Sequence, residues 1–580
     1  MTMMATSLHS REWPITFILK GFLLFMDYNK LADLLFPGVS GDIQKYLDKY
    51  PKRNLKEGAE VVRIAPSPTG FLHIGSVYGA FIDKLMAYHT GGVFYMRLED
   101  TDDKREVANA GEIAYSMLGK FFLTPDEGYA GDGRPEVGNY GPYVQSKRKD
   151  IYLSFAKYLT QKGLAFPCFC KGAEGKAEIL KRREEELSQT DDIEGKDPCR
   201  NLTIEKIEQN IKAGKPFALR LLSKGTGERT IKFKDRIKGE REIRENSKDI
   251  VILKSNLIPP YSFAHVVDDT LMGTTTVVRG EEWYPSLSSH LELFNAFGFK
   301  PPKFAHTPNV CKIDESGNKR KLSKRKDPEA DARYFIEQGY PIESVLEYLL
   351  GLINSNFEDW RKLNKDKSIW EFPFAVSKIG SNNPIFDFVK LGDCSKQVIS
   401  RFSAERIYED TLCWAKTYSP DFAKVLSSQK EMCLSLFTID RTGNNPRKDI
   451  SKWSDVEGLY DYMFYSIDAK PLKDFDFDER FDKQTIKQVL TEYLKVYSPS
   501  DDKQVWFDKI KEVGDKLGFC SNMKEYKLNS DAYKGSVADV SGIIRVATTT
   551  RRNTPDLYFL LQLLGKDEVN NRLNRVITSL

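Results

Sequence analysis

The apolar positions of the chain first gather at 61–65 (VVRIA) and stop at PSPTG, where two prolines and a glycine predict a turn. From 75 to 89 they recur at helical spacing, with Val77, Phe81, Leu85 and Met86 on one face, and Gly91-Gly92 predicts the end of that helix. A second apolar run follows at 93–98 (VFYMRL). Strand, turn, helix and strand in this order predict a βαβ unit of a parallel sheet, whose ligands collect at the carboxyl ends of the strands. Residues 100–165 mix helical stretches with a Gly-rich loop at 129–141. A charged helical run (EILKRREEELSQ) and a polar strand (ERTIKFKDRI) then predict an inserted domain. Apolar strand character returns at 250–253 and 275–278. From about 331 helical spacing takes over, first in SVLEYLLGLI and finally in DLYFLLQLLG and VNNRLNRVI. No internal repeat or low-complexity tract is evident.

This pattern predicts an extension at 1–25, a helical lead-in at 26–59, and the two halves of one α/β sheet at 60–165 and 250–300 around an insert at 166–249. A segment at 301–400 and a helical module at 401–580 complete the 580 residues. Residues 15–25 (ITFILKGFLLF) are interrupted by Lys20 and too short to span a bilayer. Arg11 precedes them, but no small-residue cleavage pattern follows, so a mis-assigned start or dispensable extension is preferred to an export signal. No other segment approaches membrane-spanning length.

Composition adds little. A hydrophobic fraction of 41% with 29% charged residues suits a globular protein with real cores. Eighty-seven basic and 83 acidic residues leave a formal charge of +4, so a nucleic-acid partner must be held by local basic patches. Eight scattered cysteines (168, 170, 199, 311, 394, 413, 433 and 520) predict reduced thiols in a cytoplasmic protein rather than a disulfide framework.

Two segments carry candidate chemistry. In PSPTGFLHIGS, His73 and Gly75 stand at the start of the predicted helix, where open N–H groups and the helix dipole favour a phosphate and glycine allows close approach. A lone His-x-Gly after a strand is a weak signal. The second segment is KRKLSKRK at 319–326, six cations in eight positions after a DESGN turn. A bare charge run is ordinarily a solvated face, but the embedded Leu322 and Ser323 predict a defined loop. Such a loop, with Lys321, Ser323 and Lys324, suits catalysis that stabilises phosphate charge.

Together, in this order and on these elements, the two segments resemble the paired signatures of class I aminoacyl-tRNA synthetases. The proline-rich first signature is similar to that of the glutamyl/glutaminyl branch. Many members have a second histidine where this chain has Ser76, but this branch commonly has a small residue there. RLEDTD at 97–102 and Arg279-Gly280-Glu281-Glu282-Trp283 resemble further segments of the branch. The resemblance is closest to the bacterial-type glutamyl-tRNA synthetases. It implies a Rossmann-type catalytic domain with an inserted acceptor-stem domain, a stem-contact region at 301–400 and an α-helical anticodon-binding region.

The resemblance further implies an amino-acid pocket of Arg63, Ala65, Ser67, Glu99, Tyr261, His265 and Arg279. Glu99 would meet the α-ammonium, and the two arginines a γ-carboxylate bidentately. Glutaminyl members generally lack an arginine matching Arg279, which favours glutamate. Where many relatives have asparagine, this chain has His265, making that contact pH-sensitive. His73, Gly75, Glu282, Trp283 and Lys324 are implied at ATP, with Trp283 a flat surface for adenine. Thr554, Pro555 and Leu557 resemble an anticodon-facing loop, with Arg545, Arg551 and Arg552 on phosphates or bases. Thr554 and Pro555 also fit a helix start as N-cap and N1.

ATP with Mg²⁺, L-glutamate and tRNA-Glu are the implied ligands, tRNA-Gln an alternative acceptor, and a monomer without membrane contact the expected form. Cys168, Cys170 and Cys199 are similar to a zinc site of some relatives. With only Arg200 and Asn201 beside Cys199 and no evident fourth ligand, no metal is expected. Three rivals are disfavoured: a glutaminyl enzyme by Arg279 and the helical back half, a tRNA-base-modifying paralogue by the residues after 400, and an inactive RNA-binding scaffold by intact His73, Gly75 and Lys324.

Overall fold

The computed structural model describes residues 26–68, 70–101, 107, 109–131, 133–170, 196–323 and 325–580. The expectations placed on 1–25, on the charged run at 178–189 and on Lys324 therefore lie outside the described residues. The chain divides into two compact units. One contains Tyr78–Asn309 and Phe374–Ser381 together with the chain up to Leu72; the other contains His73–Val77, Val310–Pro373 and Asn382–Leu580.

In the first unit, strand β1 (Val61–Ile64) is buried along its whole length and pairs in parallel with β2 (Val93–Met96), Val61 opposite Val93 and Ile64 opposite Met96. Burial on both faces explains the apolar run, interrupted only by Arg63. The helix Ile74–Thr90 makes the crossover, and Gly91, with φ +61°, turns the chain into β2. A short β3 (Glu127–Gly128) pairs in parallel with β2.

The insert builds a sheet of its own. Strand β4 (Ala165–Cys168) lies antiparallel to β5 (Ala218–Leu221), and β6 (Thr230–Asp235) with β7 (Gly239–Arg244) forms a hairpin. Strand β8 (Val251–Leu253) pairs antiparallel with β5. The apolar run at 250–253 therefore closes the inserted sheet instead of entering the parallel one.

Strands β9 (Thr276–Gly280) and β10 (Lys303–Thr307) are parallel partners. Thr275 donates its N–H to the Val61 carbonyl at 2.9 Å, and its Oγ1 accepts from Val61 N–H at 2.8 Å. This sets β9 beside β1, in the spatial order β3-β2-β1-β9-β10. The core beneath draws on Val61, Phe155, Ile252, Val266, Leu293 and Phe304.

In the second unit, β11 (Cys311–Ile313) and β12 (Lys319–Lys321) form an antiparallel hairpin. Its DESGN turn is tied by Asp314 Oδ1, which accepts from Ser316 N–H at 3.0 Å and Asn318 N–H at 2.9 Å. Helices follow, including Ile342–Ile353, Phe388–Ile399 and Ala404–Tyr418, and residues 399–576 contribute one continuous apolar core. The last element, Leu557–Ser579, breaks at Gly565, whose φ of +76° separates the two helical runs seen in the sequence. Asp556 is its N-cap, accepting from Tyr558 N–H at 3.1 Å, so Thr554 and Pro555 lie outside the helix rather than at its cap and first turn.

Candidate active site

One helix, Tyr261–Leu271, carries Tyr261 and His265 of the expected pocket. It is buried from Phe263 to Asp269, and a helix this enclosed can carry polar groups only if they are paired. Asp268 accepts from Arg148 Nε at 2.7 Å, Tyr152 Oη at 2.8 Å and Gln145 Nε2 at 2.9 Å. Asp269 accepts from Arg97 Nη1 and His265 Nδ1, both at 2.7 Å, and pairs with Arg63 Nε at 3.4 Å. Burial opposes its ionisation, but Arg63, Arg97 and His265 together hold its carboxyl well below the usual range.

The predicted pocket residues meet around this network. Arg63, on β1, is buried, and its Nη1 donates to the Val278 carbonyl at 3.4 Å. Glu99 is buried just beyond β2 and accepts from Arg97 Nη2 at 2.9 Å; burial raises its carboxyl, with Arg97 opposing. Ala65, half-buried, and Ser67, exposed, sit on the turn after β1. The Tyr261 ring stacks on His265, with 5.0 Å between centroids, and lies 4.4 Å from Trp283. Trp283 is 39% exposed, so it is not a core residue but an open aromatic face. A Cβ on Gly280 would come within 2.1 Å of the Glu282 carboxylate, so glycine lets Glu282 fold back there.

Arg279 is held differently from Arg63. Its Nε donates to His306 Nε2 and its Nη1 to His290 Nδ1, each at 3.1 Å, and the guanidinium lies 5.1 Å from the Phe304 ring centre. Nη2 is buried without a hydrogen-bond partner, and Arg279 has no carboxylate ion pair among the described residues. Burial lowers its pKa, Tyr261 opposes this electrostatically, and Arg63 adds to it. Arg63 and Arg279 both act electrostatically on His265.

His265 has a defined tautomer. Asp269 is an ionised acceptor, so Nδ1 carries the proton; Nε2 is buried, without a partner, and can only accept. Burial brings His265 from its ordinary 6.5 to about 4, with Asp269 opposing and Arg279 and Arg63 reinforcing. Its pH sensitivity therefore falls in the acid range. Between pH 6.5 and 4 the unfolded chain binds the proton and the folded chain does not, so stability falls as pH falls. At pH 5 this amounts to about 2 kcal/mol. Asp83 and Glu99, raised by burial, act in the opposite direction, so the effect is isolated by comparing variants. His265→Asn is expected to gain about 2 kcal/mol on the wild type between pH 7 and pH 5 in urea denaturation; a pH-independent difference would contradict a neutral His265.

In the second unit His73 of the first signature meets the chain just beyond the basic segment. His73 and Asp331 form a backbone bridge. Nδ1 of His73 accepts from Gly75 N–H at 2.8 Å, so in the neutral ring the proton sits on Nε2 as a donor. The Ser76 and Val77 amides donate to the His73 carbonyl. These first-turn amides are thus already engaged, and the helix dipole still favours an anion at this end. A Cβ at Gly75 would lie 3.0 Å from His73 Nδ1.

The basic loop is a defined turn. Leu322 is buried at 2% exposure, and Asp327 accepts the Arg320 fork at 2.6 and 2.7 Å, Ser323 N–H at 2.9 Å and Lys312 Nζ at 3.1 Å. Lys321 is exposed at the end of β12. Arg320 is thus a tether rather than a free cation, and Asp327, absent from the expectations, is the anchor.

Residues 60–377 match the family described as tRNA synthetases class I (E and Q), catalytic domain. A glutamate–tRNA ligase of Clostridium perfringens (strain 13 / Type A) is 43% identical over 550 residues, 94% of this chain and 100% of that protein. The chain belongs to the glutamate–tRNA ligase family of class I synthetases. A glutamate–tRNA ligase of Acetivibrio thermocellus is likewise 43% identical, over 95% of this chain and 100% of its own. A crystal structure of a glutamate tRNA ligase from Elizabethkingia meningosepticum in complex with its amino acid superposes with a TM-score of 0.68 at 26% identity, covering 90% of this chain and 99% of that one.

At the insert, Cys168, Cys170, Cys199 and Asp197 each offer one ligand atom, all within 4.8 Å of one another. The expectation of no metal rested on the lack of a fourth ligand, and Asp197, two residues before Cys199, removes that reason. Three thiols and a carboxylate at this spacing fit a tetrahedral zinc ion. In the helical module, the arginines assigned to tRNA are internally engaged. Arg545 Nη1 donates to the Pro555 carbonyl at 2.7 Å and to Thr554 Oγ1; Arg551 bonds Asp461 at 2.9 Å; Arg552 bonds the Asp476 carbonyl at 2.8 Å. Leu557 is buried. Finally, no helix among the described residues is long and apolar enough to cross a membrane.

Proposed function

We propose that this synthetase activates L-glutamate with MgATP and transfers it to tRNA-Glu, acting as a cytoplasmic monomer. Arg279 carries the reading: it is a buried cation held by two neutral rings, with Nη2 left without a partner. A γ-carboxylate would supply the missing charge and accept from that nitrogen, whereas an amide would leave the charge uncompensated. The names of the C. perfringens and A. thermocellus relatives support the same substrate.

In the first step the α-carboxylate of glutamate attacks the α-phosphorus of ATP, forming glutamyl-adenylate and releasing pyrophosphate. Arg63, Arg279 and Tyr261 hold the side chain, and Glu99 accepts from the α-ammonium. His265 Nε2, an acceptor in the neutral ring, is left for a donor of the substrate. His73, through Nε2–H, and Lys324 stabilise phosphate charge without acting as bases, with Lys321 and Ser323 shaping their loop. Glu282 and Trp283 border the adenine. In the second step a terminal ribose hydroxyl of tRNA attacks the adenylate carbonyl and AMP leaves; Arg545, Thr554, Pro555 and Leu557 then shape the anticodon-facing surface, and Arg551 and Arg552 reach the tRNA by exchanging their internal bonds.

Pyrophosphate exchange with each amino acid, with and without tRNA, tests the reading. With tRNA bound, glutamate and not glutamine is expected to support exchange, and Lys324→Ala to abolish it; exchange driven by glutamine instead would refute the substrate. Charging tRNA-Glu and tRNA-Gln transcripts side by side separates a strict enzyme from one that loads both.

We also propose that Cys168, Cys170, Cys199 and Asp197 hold a zinc ion that ties β4 to the segment around 197–199. Metal analysis of the purified protein is expected to find about one zinc per chain, lost in Cys199→Ser. Wild-type protein that is folded and zinc-free would exclude it.

A further inference from the structure

We propose that Asp235, at the tip of the inserted hairpin, is a positioning residue for Arg279, acting through the tautomer of His306. This rests on the reading of Arg279 as the glutamate-binding cation. Asp235 ends β6 and is buried. Its Oδ1 caps the hairpin turn, accepting from Ile237 N–H at 2.9 Å and Lys238 N–H at 2.8 Å. Its Oδ2 accepts from His306 Nδ1 at 2.6 Å and from the His306 backbone N–H at 3.2 Å. An ionised carboxylate can only accept, so His306 carries its proton on Nδ1 and presents a lone pair on Nε2.

That lone pair faces Arg279 Nε at 3.1 Å. His290 is set in the same way: arginine has only donors, so Nδ1 of His290 accepts, and Nε2–H donates to Ser262 Oγ at 3.1 Å. Two neutral acceptors therefore orient the guanidinium without taking its charge, and Nη2 is what remains for a ligand. Burial lowers the pKa of both rings, which keeps them neutral at neutral pH.

The hairpin tip is fastened to β9 and β10, and to Glu281 just after β9, by other bonds. Arg236 donates its N–H to the Phe304 carbonyl at 2.9 Å and its Nη1 to Thr276 Oγ1 at 3.0 Å, and Lys238 pairs with Glu281 at 2.9 Å. A segment from the insert, 71 residues before His306 in sequence, thus sets the geometry of the carboxylate-binding cation. The position of Thr230–Arg244 controls how well the pocket grips an acidic side chain.

Asp235→Asn tests this with little change in volume. The amide can turn its NH₂ toward His306, moving the ring proton to Nε2, where it opposes Arg279 Nε–H. The variant is expected to raise the KM for glutamate about tenfold or more, measured by pyrophosphate exchange with tRNA present, while the KM for ATP and the melting temperature stay near wild type. In His306→Gln, the amide oxygen replaces the Nε2 acceptor and needs no tautomer, so adding Asp235→Asn to it is expected to change the glutamate KM less than twofold. An unchanged glutamate KM in Asp235→Asn, an equal rise in both KM values, or full additivity with His306→Gln would overturn the relay. Wild-type exchange that ignores glutamate would instead overturn the function on which it rests.

Discussion

Arg279→Gln is expected to lower kcat/KM for glutamate by about 30- to 4,000-fold in pyrophosphate exchange. The range follows from removing one partner of a buried, hydrogen-bonded charge pair, which costs about 2–5 kcal/mol. Glutamine keeps the reach of the side chain and can satisfy one imidazole lone pair, so loss of charge dominates over loss of packing. Because the guanidinium takes its internal bonds from His290 and His306 rather than from a carboxylate, its removal leaves no buried protein anion behind. Folding stability should therefore change far less than activity. The ratio of glutamate to glutamine activation should fall as well. A variant that still discriminates between them as the wild type does would show that the selecting charge lies elsewhere.

Asp269→Asn is expected to act on the fold itself. The carboxylate takes Arg97 and His265 at 2.7 Å each and Arg63 at 3.4 Å, and Arg97 and Asp269 are almost completely shielded from solvent. Replacing it by a neutral amide leaves two buried guanidinium groups short of a counter-charge. Breaking a buried pair from one side costs about 3–5 kcal/mol. Urea denaturation should show the midpoint falling with the slope unchanged, the signature of lost stability rather than of a looser native state. Glutamate affinity should fall too, because Arg63 loses its anchor. A loss below about 1 kcal/mol would mean that Asp269 is not the hub of this network.

Much of the sheet and both signatures could be read from sequence because their signals are local. Prolines and glycine force the turn after β1, Gly91 stops the crossover helix, and the embedded Leu322 marks a packed loop rather than a solvated tail. What escaped was long-range. Asp268 and Asp269 look like ordinary polar residues in YSFAHVVDDTL, and only partners more than 100 residues away, such as Arg97 and Arg148, reveal them as a buried hub. His290, His306 and Asp327 belong to no motif that the sequence displays. The arginines at 545, 551 and 552 suggested a nucleic-acid surface, yet each forms internal bonds to carbonyls or carboxylates, which a count of positive residues cannot foresee. The strand at 250–253 had the right apolar run for either sheet, and its antiparallel pairing with β5 depends on a partner about 30 residues upstream.

Gly75 has an implication for variation at the helix entrance. Its backbone is not in the left-handed region, so many residues could adopt its torsions; the constraint is the 3.0 Å between a would-be Cβ and the His73 ring. A methyl group there would press on the imidazole, which would have to give by a few tenths of an ångström beside the amide that fixes its outward proton. What glycine contributes at this point is the empty volume it leaves to its neighbour, not a backbone freedom.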